Sequence, residues 1–71
     1  MRDFRQIIDI LKERMSLSST KERIYDKDVA EVLNISQSKF ATIKKRNAMP
    51  YVELLLYCKR ENICCSEIFF D

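Results

Sequence analysis

The chain of 71 residues contains no glycine and one proline, Pro50. Wherever the backbone must turn through the left-handed region, another residue has to carry it, and asparagine tolerates positive φ best after glycine. Two asparagines stand where helices would close. Asn34 follows the apolar-periodic segment 28–33, and Asn62 follows the apolar strip 52–58 with Ile63 behind it as the anchor that commonly succeeds such a cap. Reversals of this kind, with apolar residues recurring at three- and four-residue steps, specify short helices. The expected fold is all-α, a compact domain of four to five helices over residues 1–71.

The stretch Asp28–Arg46 reads as two helices meeting at a tight turn. Val29, Leu33, Ile35, Phe40 and Ile43 are its apolar positions, Ala30 the small residue at the crossing, Asn34 the turn, and Ser36 the N-cap of the second helix. Gln37, Ser38, Lys39, Thr42 and Lys45 are left facing outward. This pattern fits a helix-turn-helix, which lays its second helix in the major groove of DNA.

On either side the reading is simpler. Phe4, Ile7, Ile8, Leu11 and Met15 form one stripe on a helix over residues 3–17, with Asp3 and Gln6 spaced like a capping box. Arg2 and Arg5 fall on its wet side, as ordinary surface charge. Residues 16–20 are a loop by composition, and 21–25 either a short helical turn or an extended loop with Ile24 and Tyr25 packed inward. Asp26 opens the second helix, where an acid complements the dipole. Pro50 suits the first position of a fourth helix, whose strip is Val52, Leu55, Leu56 and Cys58. A short fifth helix spans about 65–70, with Ile68 and Phe69 over the core. Leu54 and Phe70 are then surplus apolar groups; with Phe69 they are the candidate dimer contacts.

Charge adds direction. The net charge is only +2, but no acid lies between Glu31 and Glu53, while Lys39, Lys44, Lys45 and Arg46 all do. A basic charge focused on one element is what a DNA-binding unit requires. A Lys-Lys-Arg run at a helix C-terminus also suits the dipole, so both explanations stand. Lys44, Lys45, Arg46 and Asn47, at the far end of that helix, are the candidate phosphate contacts. Gln37, Ser38, Lys39 and Thr42, on its first turns, are the candidate base contacts: Gln pairs with adenine, Lys with guanine, and Ser or Thr hydrogen-bonds or meets a thymine methyl.

Other classes find little support. The absence of histidine removes the usual general base and the commonest zinc co-ligand, and there is no Gly-rich phosphate loop. No enzyme activity, metal, cofactor or small-molecule substrate is expected. Cys58, Cys64 and Cys65 lack zinc spacing and read as structural thiols of a reduced, cytoplasmic protein, with an oxidant response at Cys64–Cys65 the lesser alternative. No apolar run reaches membrane-spanning length, and no signal peptide is evident.

The segment with Ala30, Asn34 and Ser36-Gln37-Ser38 resembles the helix-turn-helix of phage CI-type repressors, the lambda-repressor-like family. Lys-Lys-Arg-Asn-Ala-Met-Pro-Tyr (44–51) resembles that family's step into its fourth helix, and Leu54–Ile63 resembles the body of that helix and the entry into a fifth. The likeness therefore covers roughly residues 26–70. Asn34 departs from the family's turn glycine, and Ile43 stands where a tryptophan often precedes the lysine. The resemblance implies a sequence-specific transcriptional regulator, a phage or prophage repressor binding a palindromic operator in double-stranded DNA as a homodimer, with Gln37 and Ser38 as base contacts. It also implies either the amino-terminal domain of a longer repressor or a small stand-alone regulator. The competing class is an antitoxin-like or other protein-interaction module on the same fold.

Overall fold

The computed structural model describes residues 1–18 and 23–70, so the expectations for residues 19–22 lie outside the described residues. Among the described residues five helices follow one another: α1 (Phe4–Ser18), α2 (Asp26–Val32), α3 (Gln37–Arg46), α4 (Tyr51–Arg60) and α5 (Cys65–Phe69). There are no strands among the described residues. The all-α expectation holds.

α1 starts on a reciprocal cap. Asp3 Oδ1 accepts from the Gln6 amide at 2.8 Å, and Gln6 Oε1 accepts from the Asp3 amide at 2.9 Å. The helix runs through Ser16-Leu17-Ser18, which composition assigns to a loop. Serine disfavours helix interiors because its hydroxyl competes for backbone. Here the hydroxyls work with the helix end, Ser16 donating to the Glu13 carbonyl and Ser18 to that of Met15. α1 supplies Phe4, Ile7, Ile8 and Leu11 to the core, where Phe4 meets Phe40 of α3 edge-on at 5.6 Å between ring centroids.

Three helices close in the same way, and each closure uses asparagine with positive φ: Asn34 at 58°, Asn47 at 52° and Asn62 at 54°. At each site the asparagine amide donates three residues back and the next amide five back. The pairs are Asn34 to Glu31 with Ile35 to Ala30, Asn47 to Lys44 with Ala48 to Ile43, and Asn62 to Lys59 with Ile63 to Cys58. This double bond satisfies carbonyls that a helix end leaves open. The expectation covered Asn34 and Asn62; Asn47 is the third.

α4 overturns the expected register. Leu54, Tyr57 and Cys58 are the buried residues, whereas Val52, Leu55 and Leu56 face solvent. The proposed dimer contacts change accordingly: Leu54 is 0% exposed and Phe69 6%, both inside the core, and Phe70 alone of the three is on the surface. At this register Lys59 and Arg60 stay exposed and Glu53 lies at the flank, away from Leu54 and Cys58, so the charged residues rather than the run of leucines orient the helix. Phe69 is held by stacking on Tyr51, centroids 6.0 Å apart. Tyr25, packed inward in the extended-loop alternative, is exposed, while Ile24 is buried.

Candidate nucleic-acid interface

α2, the turn at Asn34 and α3 form the expected helix-turn-helix unit. Val29, Ala30, Leu33 and Ile35 are buried, and Ala30 at 1% exposure lets the helices approach closely. α3 itself buries only Phe40 fully, with Ile43 half-buried. Its other sides are therefore free to meet a partner.

The N-terminus of α3 is capped by Ser36, whose hydroxyl accepts from the Lys39 amide at 3.2 Å. Its first turn holds no acid, like that of α1 and unlike those of α2, α4 and α5, and it holds Lys39 where α1 holds Arg5. A cation at the positive end of a helix dipole is unfavourable for folding. Intrahelical electrostatics therefore does not explain Lys39.

Gln37, Ser38, Lys39 and Thr42 are all exposed on the first two turns of α3. Thr42 turns its hydroxyl back to the Ser38 carbonyl at 3.1 Å, which leaves its methyl as the outward group. Beside this surface lies a groove of about 480 Å³ between the start of α1, α2 and α3, with Arg5, Lys27, Gln37 and Lys45 along it and Ala30, Phe40 and Ala41 beneath.

The four residues assigned to phosphate divide. Lys45 and Arg46 are exposed, and neither side chain has an ion-pair or hydrogen-bond partner among the described residues. Lys44 is committed elsewhere: its ammonium lies 2.6 Å from Asp26 Oδ2, while Lys12 Nζ lies 2.6 Å from Asp26 Oδ1. One carboxylate thus joins α1, α2 and α3, and Oδ1, which is sealed from solvent and accepts no hydrogen bond of standard geometry, is compensated by the Lys12 charge. Lys12 and then Lys44 hold the Asp26 carboxyl below its usual range. Asn47 is exposed and serves as the αL cap; its side-chain amide reaches Asp3 Oδ2 at 3.4 Å.

Sequence reasoning missed the roles of several long-range partners. Arg5, read as surface charge, donates from Nε to the Lys44 carbonyl at 3.4 Å and from Nη2 to the Lys45 carbonyl at 3.3 Å, closing the C-terminal end of α3. Arg2 does the same for α5, through Nη1 to the Glu67 carbonyl at 2.8 Å and its own amide to Phe69. Arg60 donates to the Val32 carbonyl at the end of α2. Asp28, buried at 8% exposure, accepts from the Tyr25 amide and fixes the start of α2. The Asp28 role had a signal, an acid three residues after Tyr25. The arginine contacts had none, because they span from 28 to 67 positions.

The cysteines match the structural expectation in part. Cys58 is buried, and burial with the neighbouring Cys65 thiol pushes it up to about 11, away from reactivity. Cys64 is exposed, and the Ser66 hydroxyl, 3.1 Å away, lowers its thiol. No cluster of metal-ligating side chains occurs among the described residues, and none of the described helices is long and apolar enough to cross a membrane.

Comparison of the chain with protein-family models, with curated proteins and with solved structures finds no match in any of the three.

Proposed function

We infer that this protein is a sequence-specific DNA-binding transcriptional regulator of phage CI-repressor type, acting in the cytoplasm on a palindromic operator. The observation that carries this reading is the start of α3. Four exposed polar side chains stand there on an acid-free helix end whose lysine opposes its own dipole. In the proposed mode the α3 N-terminus enters the major groove. Gln37 and Lys39 address base edges, Ser38 reaches a base edge or the adjoining sugar, and the Thr42 methyl meets thymine. Lys45 and Arg46 neutralise phosphates. Lys44 and Asn47 act indirectly, by holding α3 in place.

The test is titration of duplex DNA at several salt concentrations. With Lys45, Arg46 and one groove cation neutralising phosphates, log K should fall against log salt with a slope of about −3 for each copy bound. Lys45→Ala should weaken operator and random DNA equally and reduce that slope by about 1. Gln37→Ala should cost about 1–3 kcal/mol on operator alone. No binding to random duplex at low salt would exclude the reading. It would favour the second one, an antitoxin-like protein-interaction module, to which the exposed aliphatic side of α4 lends support.

A further inference from the structure

α4 carries a surface that neither the core nor the DNA reading uses. Val52, Leu55 and Leu56 are 64, 46 and 61% exposed. At three- and four-residue spacing they form one stripe down the outside of the helix, on the side opposite Leu54, Tyr57 and Cys58. Branched aliphatics grouped this way on so small a domain mark an association surface.

We propose that this stripe is the contact between two copies of the chain, paired antiparallel through α4 about a twofold axis near Leu55 and Leu56. Charge identifies the occupant. α4 has an acid in its first turn, Glu53, and bases in its last, Lys59 and Arg60. Arg60 is already engaged, by the Val32 carbonyl and Glu61, but Glu53 and Lys59 have no side-chain partner among the described residues. An antiparallel pair sets the Glu53 end of each helix against the Lys59 end of the other, twice by symmetry, and opposes the two dipoles. Leu55 and Leu56 then meet their counterparts at the centre, and the Lys59 stem covers Val52 of the other copy. The surface is complementary to itself, which a surface built for an unrelated partner need not be. Two ten-residue helices make an interface at the small end of the specific range, and a dissociation constant on the order of micromolar or weaker is expected. The proposal stands on α4 and does not depend on DNA binding.

Sedimentation equilibrium across a concentration series reads it directly. The wild-type chain should pass from one to two copies over micromolar to high-micromolar concentrations. Leu56→Glu should remain a single copy throughout while keeping the wild-type helical circular dichroism and melting curve, because the side chain points to solvent. Lys59→Glu should weaken the dimer by about tenfold, and the swap Glu53→Lys with Lys59→Glu should restore it. The swap also guards against misfolding, since a merely unfolded Lys59→Glu chain would not be rescued. A wild-type chain that stays single at millimolar concentration overturns the proposal. So does a dimer that Leu56→Glu leaves intact, or a charge swap that leaves the dimer as weak as Lys59→Glu alone.

Discussion

α3 and α4 are both ten residues long, both close on asparagine in the left-handed conformation, and both end in basic residues. Their outer sides have nothing in common. α3 presents Gln37, Ser38, Lys39 and Thr42, whereas α4 presents Val52, Leu55 and Leu56. Folding constrains the inner side of a helix far more than the outer, so this contrast is not set by the core. The shared feature is as instructive as the difference. Basic residues close α4 as well as α3, so the dipole accounts for much of the Lys44-Lys45-Arg46 run. The signal that survives the comparison is Lys39, at the end of α3 where the dipole disfavours it.

The inner sides differ in degree, and substitutions can break or sharpen that part first. α3 is anchored by one fully buried residue, Phe40, and α4 by Leu54, Tyr57 and Cys58. Phe40→Ala should cost about 3–5 kcal/mol in urea denaturation, and Leu54→Ala about 2–5. Leu56→Ala, on the outer side of the same helix, should stay within about 0.5 kcal/mol. Equal losses for Leu54→Ala and Leu56→Ala would undo the assigned register of α4.

The next effect concerns the asparagine closures that the two helices share. Asn34→Ala should destabilise by about 1 kcal/mol, since alanine gives up the local hydrogen bonding that lets asparagine occupy the left-handed region. Asn34→Gly should be neutral or stabilising. A loss with glycine as large as that with alanine would mean that the asparagine side chain, not its backbone angle, matters.

The smallest effect separates Lys44 from Lys45. Lys44→Ala and Asp26→Asn should each lower stability by about 0.5–1 kcal/mol, the scale of partly exposed ion pairs, while Lys45→Ala leaves the melting curve unchanged. The pH dependence comes from the direction of the shift. Asp26 lies below its ordinary value of 3.8 in the folded chain. The stability it adds is fully present above that value and is lost as pH falls through the folded value. The gap between wild type and Asp26→Asn should therefore be constant near neutrality and close in acid. A gap that widens in acid would contradict the Lys12–Asp26–Lys44 junction.

What was legible in the sequence was local. The Asp3–Gln6 cap, the α1 stripe, the Asn34 turn and the Ser36 cap each depend on steps of no more than five positions, where spacing alone decides the geometry. The α4 register is harder to read, because Val52 and Leu54–Cys58 are nearly all apolar and only Glu53, Lys59 and Arg60 mark the outer side. Lys44 looked like free charge because its partners, Asp26 and through it Lys12, lie 18 or more positions away. Asn47 joins the phosphate candidates by its position just after the basic run, whereas in the structure it closes α3. Of the candidate site, the outward N-terminal face of α3 was read correctly. The division of the basic run into a tethered Lys44 and free Lys45 and Arg46 required the tertiary structure.

Selection of binding sites from a random duplex pool tests the central claim most directly. The account predicts an enriched palindrome whose half-sites lie about 34 Å apart or a multiple of that spacing, with Gln37→Ala relaxing the preference at one position in each half. A pool that emerges without enrichment, from a protein that also fails to retain duplex at low salt, would contradict it.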